Sequence, residues 1–88
     1  MSWQIEVKPT AEKQYLKLDR KTRMRIKTDL YDLGQEENPL FHNDIKPLTG
    51  GLKGDYRLRV GDWRLLFTPD RDQKIIYIYA ILPRGDAY

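Results

Sequence analysis

Residues 56–67, YRLRVGDWRLLF, read as a β-hairpin that carries three arginines, and this stretch decides the fold. Apolar and polar residues alternate through Tyr56, Leu58 and Val60, stop at Gly61-Asp62, and resume at Trp63. A two-residue loop at Gly61-Asp62 sets Val60 opposite Trp63, Arg59 opposite Arg64 and Leu58 opposite Leu65. One face then carries Tyr56, Leu58, Val60, Trp63, Leu65 and Phe67, which is the pattern of a core. The other face gathers Arg57, Arg59 and Arg64. Like charges directly opposite one another destabilise a sheet by on the order of a few tenths of a kcal/mol or more. Their placement there points to a bound anion, with phosphate the leading candidate.

Working outward, Trp3, Ile5 and Val7 alternate with polar neighbours and predict a first strand. Pro9 and Thr10 end it, and Thr10 is the expected N-cap of a short helix with Ala11, Tyr15 and Leu18 on one side. Asp19 is the expected cap of a second helix running to about Leu33. Ile26, Leu30 and Leu33 form its apolar stripe, widened by Met24 and Tyr31, and Gly34 is its expected stop. Residues 35–54 hold Pro39, Pro47, Gly50, Gly51 and Gly54, so they read as a long irregular connection pinned by Ile45 and Leu48. After the hairpin, Pro69 to Asp72 reads as a polar turn. Residues 74–82, KIIYIYAIL, read as a central strand because they are apolar on both faces. The expected fold class is α+β, in the order β-α-α-β-β-β: a helical hairpin packed on a mainly antiparallel four-stranded sheet.

The 88 residues suit one domain, 1–88, with a single modest core. No apolar run approaches the roughly 20 residues needed to cross a bilayer, and the N-terminus has no signal-peptide design. No membrane partner is therefore expected. The absence of cysteine removes disulfides and thiolate metal sites and suits a cytoplasmic location. A single histidine, His42, argues against a structural zinc site, and no metal or other cofactor is expected. The net charge of +3 is mild, but its distribution is uneven. Arg20, Lys21, Arg23, Arg25 and Lys27 fill the start of the second helix, while Asp29, Asp32, Glu36 and Glu37 follow. That order opposes the helix dipole and suggests an anionic or protein partner at the basic end.

Arginine stays protonated and cannot act as a base, but three on one face can hold phosphates and stabilise a pentacoordinate transition state. The competing reading pairs each arginine with a nearby carboxylate, Asp55 or Asp62. Arg84 and Tyr88 follow the last strand, where a tail can fold over the sheet; the competing reading of Tyr88 is a disordered chain end. Nearby arginines would lower the phenol pKa from about 10 and favour its use as a base. His42, in a loop without a second histidine, reads as solvated or bonded within the loop. Asp29, Asp32 and Glu36 share a helical face and read as a wet surface rather than a magnesium site.

The segment PLTGGLKGDYRLRVGDWRLLF resembles the leucine-glycine and Tyr-Arg-x-Arg-x-Gly-Asp-Tyr-Arg pattern of the RelE/ParE toxin superfamily, and more closely its RelE branch. The ending LPRGDAY is similar to that family's closing His-Arg-Lys-Glu-Val-Tyr, with Pro83 in place of the histidine and Gly85 in place of the lysine. The resemblance spans nearly the whole chain. It implies the toxin of a type II toxin–antitoxin system, a ribosome-dependent endoribonuclease (an mRNA interferase) that cleaves messenger in the ribosomal A site. The implied reaction is metal-independent attack of a ribose 2′-hydroxyl on the adjacent phosphate. Arg57, Arg59, Arg64 and Arg84 take the implied role of stabilising the transition state, and Tyr88 acts as base or orients the nucleophile. An α-carboxylate on Tyr88 itself works against a lowered phenol pKa and favours orientation. Arg20, Lys21, Arg23, Arg25 and Lys27, with Lys46 and Lys53, are expected to bind RNA or the ribosome. A RelB-like antitoxin is the implied protein partner, with the apolar groove between helices and sheet and the basic second helix as contact surfaces. The alternatives are a ParE-like inhibitor of DNA gyrase and a toxin-fold binding module without catalysis.

Overall fold

The hairpin adopts the expected register, with Val60 paired to Trp63, Arg59 to Arg64 and Leu58 to Leu65. The structure, a computed structural model, describes residues 2–86. In chain order it comprises β1 (Gln4–Val7), α1 (Pro9–Leu16), α2 (Arg20–Gln35), β2 (Ile45–Pro47), β3 (Tyr56–Val60), β4 (Trp63–Asp70) and β5 (Ile75–Pro83). Short 3-10 turns occupy Pro39–Phe41, Gly50–Leu52 and Arg84–Asp86. The sheet order is β1-β5-β4-β3-β2, with β1 parallel to β5 and every other pair antiparallel.

The sheet therefore has five strands, not the expected four. The extra strand, β2, lies inside the connection read as irregular and makes three pairs with β3: Ile45 with Leu58, Lys46 with Arg57, and Pro47 with Tyr56. Three residues are too few to display alternation, and Pro47 argues against a strand except at an edge, which is where β2 lies. Ile45 and Leu48 are buried and pin this connection as expected.

The helix boundaries follow local chemistry, with corrections. Helix α1 begins at Pro9 after an N-cap residue, Lys8, that offers no side-chain bond, so Thr10 is not the cap. The fixed φ of proline suits the first helical position and needs no donor there. Asp19 does cap α2, accepting from the Thr22 N–H at 3.2 Å and the Thr22 hydroxyl at 2.5 Å. Those bonds hold its carboxyl below the usual aspartate pKa. Gly34 does not stop α2, which runs on to Gln35. Its lack of a side chain instead admits β1. The Trp3 N–H donates to the Gly34 carbonyl at 2.7 Å, and a Cβ on Gly34 would sit 3.0 Å from the Trp3 carbonyl oxygen. Met24 and Tyr31 do not widen the apolar stripe; they are 54% and 68% exposed. At about 100° per residue they lie roughly 160° and 140° around the helix from Ile26.

Ala11, Ile26 and Leu33 of the helices pack against Leu58, Val60, Leu65, Phe67, Ile76, Ile78 and Ile81 of the sheet. The helices thus cover one sheet face and leave the other open. A bulge between Leu66 and Phe67 shifts the β4–β5 register, so Leu66 faces Ala80 while Phe67 faces Ile78. Strand β4 continues through Pro69 and Asp70, so the turn begins later than expected, and the Asp70 carboxylate accepts from the Asp72 and Gln73 N–H groups. Strand β5 outruns β1, which pairs only with Ile75 to Ile78. Gln14 of α1 closes the exposed edge, accepting from the Ile81 N–H at 2.6 Å. Among the described residues no helix is long and apolar enough to cross a membrane.

Candidate active site at the hairpin turn

The register that buries Leu58 and Leu65 also forces Arg59 and Arg64 onto the open face as direct neighbours. Strand β5 adds Leu82 beside Arg64 and Pro83 beside Trp63, so the chain leaves the sheet next to the Gly61-Asp62 turn. There the Arg84 N–H donates to the Asp62 carbonyl at 2.8 Å. Arg59, Arg64 and Arg84 line a cleft of about 440 Å³, together with Arg25, Asp44, Gly61 and Asp62. Four guanidinium groups against two carboxylates leave a formal excess of two positive charges.

Arg64 is the buried charged residue of the described chain, only 8% exposed. Its Nη1 donates to the Gly61 and Trp63 carbonyls, both at 2.9 Å, which anchors the fork at the turn. Desolvation, then the positive charges of Arg57, Arg84 and Arg59, push its pKa below the usual arginine value, with Asp62 opposing. Arginine starts high enough to remain a cation. An anion entering the cleft would relieve that repulsion, and an arginine fork already held in place loses little freedom on binding it.

Arg59 donates through Nε and Nη2 to one oxygen of Asp44, at 3.2 and 2.7 Å. The carboxylates expected to compete for the arginines, Asp55 and Asp62, are not in salt-bridge contact with them among the described residues. Asp55 is occupied by the Thr68 and Tyr79 hydroxyls, each at 2.9 Å. Arg57 lies one row along the open face, between Lys46 and Leu66 in register, with no carboxylate in salt-bridge contact among the described residues. Lys46 thus joins the arginine face, whereas Lys53, at the end of a 3-10 turn, does not line the cleft.

The basic start of α2 divides. Arg25 reaches the cleft: its Nη1 lies 2.8 Å from where a Cβ on Gly61 would sit. Gly61 also has φ +58°, so the backbone favours glycine there, whereas the Arg25 guanidinium, at the end of a flexible side chain, could shift to admit a Cβ. Lys21 lines a smaller adjoining cavity, while Arg20 lines neither. Arg23 donates to the Leu16 carbonyl at 3.5 Å. Lys27 borders an apolar groove formed by Val7, Tyr15, Leu16, Leu30, Ile78 and Ile81. Tyr88 lies outside the described residues.

His42 bonds within its loop, its Nδ1 accepting from the Asp44 N–H at 3.1 Å. Burial pushes the Asp29 carboxyl up, with Arg25 opposing. Among the described residues no group of three His, Cys, Asp or Glu side chains could hold a metal ion. Sequence reasoning missed Asp44, whose pairing with Arg59 depends on β2 lying beside β3. It counted Arg25 as a binding residue without placing it in the cleft.

A family model described as the ParE toxin of type II toxin-antitoxin system, parDE, matches residues 5–88. No curated protein matches by sequence. Among solved structures the chain is similar to one in the archaeal RelE–RelB complex from Pyrococcus horikoshii, with 27% identity, 99% of this chain and 100% of that one covered, and a TM-score of 0.79. A chain of the RelB–RelE antitoxin–toxin complex from Methanococcus jannaschii matches at 27% identity over 91% of both chains, with a TM-score of 0.71. The isolated E. coli RelE toxin, at 17% identity, shares the fold over 98% of this chain and 88% of its own, with a TM-score of 0.75. Fold and family match together define the toxin of a type II toxin–antitoxin system. The chain belongs to the RelE/ParE toxin superfamily, in its RelE-like branch.

Proposed function

We propose that this toxin is a ribosome-dependent endoribonuclease that cleaves messenger in the A site, with the arginine cleft holding the scissile phosphate. The observation that carries the reading is the convergence of Arg59, Arg64 and Arg84 on one cleft, with Arg57 beside them. In the proposed reaction the ribose 2′-oxygen attacks the adjacent phosphorus and the P–O5′ bond breaks, leaving a 2′,3′-cyclic phosphate and a 5′-oxygen that takes a proton from solvent to become a 5′-hydroxyl, balancing the proton lost by the 2′-hydroxyl. The arginines counter the charge that builds on the equatorial phosphate oxygens, so the step is routed through side-chain charge and not a metal ion. None of them can accept the 2′-hydroxyl proton. That task, or orientation of the hydroxyl, falls to Tyr88 by family resemblance. A RelB-like antitoxin would hold the protein silent, and the apolar groove beside Lys27 suits a protein contact.

The ParE description of the matching family favours a second reading, inhibition of DNA gyrase without RNA cleavage. Primer extension on messenger from expressing cells separates the two. Codon-positioned cuts are expected, falling about 10²–10³-fold in Arg64→Ala, the usual cost of losing one preorganised charge donor. DNA damage with intact messenger would establish the gyrase reading instead.

A further inference from the structure

Two cavities flank the Gly61-Asp62 turn, and Arg25 lines both. The larger is the arginine cleft; the smaller, about 180 Å³, is bounded by Lys21, Arg25, Val60 and Trp63. Arg59 and Arg64 point to one side of the hairpin and Val60 and Trp63 to the other, so the two-residue turn is the wall between the cavities. We propose that the two form one continuous track for single-stranded RNA, in which Lys21, Arg25 and Trp63 bind the nucleotide next to the one cleaved. This rests on the RNA-cleaving reading of the cleft.

Three observations support a nucleotide in the smaller cavity. Lys21 and Arg25 are four residues apart, hence neighbours on one side of α2, and neither forms an ion pair among the described residues. The Asp19 carboxylate already meets the positive end of the helix dipole, so the positive charge of this cavity is carried by the two side chains themselves, neither of them salt-bridged to an acid. Trp63 brings a half-buried indole to the same wall, and base stacking on aromatic side chains is tolerant of sequence. A phosphate between Lys21 and Arg25 with its base on Trp63 satisfies all three features. Asp62 lines both cavities as the one opposing carboxylate of the turn, which disfavours phosphate over the turn itself and leaves the two sides as the favoured positions. The inverted charge order of α2 is thereby explained at two of its basic positions.

The test compares fully 2′-O-methylated, uncleavable di- and triribonucleotides binding to the full chain at low ionic strength, by anisotropy of an end label. The trinucleotide is expected to bind about tenfold tighter than the dinucleotide, which lies within the range that one stacked base is worth. Lys21→Gln, an exposed position, should weaken trinucleotide binding several-fold, closing part of the gap because Arg25 and Trp63 remain, and leave the dinucleotide unchanged. It should also reduce the salt dependence of trinucleotide binding by about 0.7 in the log–log slope, the loss of one phosphate contact. If both ligands weaken in Arg64→Ala while Lys21→Gln alters neither, the second subsite is wrong and the cleft stands. If Arg64→Ala leaves both unchanged, the cleft reading fails and the track fails with it.

Discussion

On the helix-covered face of the β3–β4 hairpin, Leu58, Leu65 and Phe67 are almost wholly buried against residues such as Ile26, Ile76 and Ile78. On the opposite face the same two strands hold Arg57, Arg59 and Arg64 together, with Arg64 itself buried. Burial of apolar area drives the first arrangement, and Coulomb repulsion and desolvation oppose the second. The backbone register is common to both, so the apolar side must secure the pairing that the charged side resists. Apolar burial and clustered positive charge are thus divided between two surfaces of one sheet.

That division can be broken from either side. Phe67→Ala removes a fully buried ring stacked 5.9 Å from Tyr56 and should lower stability by about 3–5 kcal/mol, read as a lower urea midpoint. A loss below about 1 kcal/mol would mean that the apolar face does not secure the pairing. Arg57→Thr should act the opposite way. It removes a like charge beside Arg64 and should raise stability by roughly 0.2–1 kcal/mol while messenger cleavage falls. Lower stability in that variant would show that the arginine face supports the fold after all.

The smallest effect concerns Asp29, a carboxyl whose pKa burial raises. Relative to the unfolded chain, such a group favours the fold most below its unfolded pKa of about 3.9, and that advantage is lost as pH rises through the raised folded pKa. Asp29→Asn should therefore raise Tm at neutral pH by no more than the equivalent of ~1 kcal/mol, a limit set by solvent screening. The gain should close as both proteins are taken below about pH 3.9. A gain that persists in acid would point to packing and not charge.

The hairpin register was legible because alternation and a two-residue turn constrain it twice over. The capping role of Asp19 was legible because it is local. Strand β2 was not, since the partner for Ile45 and Lys46 is supplied by β3 and leaves no period of its own. Gly34 looked like a helix stop because glycine often is one; its actual reason, the approach of Trp3, is a long-range contact. The three cleft arginines of the hairpin and tail could be named from pattern and resemblance. The reach of Arg25 across Gly61 and the hold of Asp44 on Arg59 depend on where separate elements come to rest, which spacing along the chain does not encode.

The parallel pairing of β1 with β5 joins Ile5 to Ile76, nearly opposite ends of the sequence. Contacts so distant along a chain form late, because loop closure must precede them. The hairpin is local by contrast, so Arg59 and Arg64 can come together during synthesis before β5 has emerged. Arg84 cannot, since its place beside Asp62 is set by β5 pairing with β4. A nascent chain thus holds an incomplete cleft, and the topology itself delays the full arginine lining until the last strand has been made.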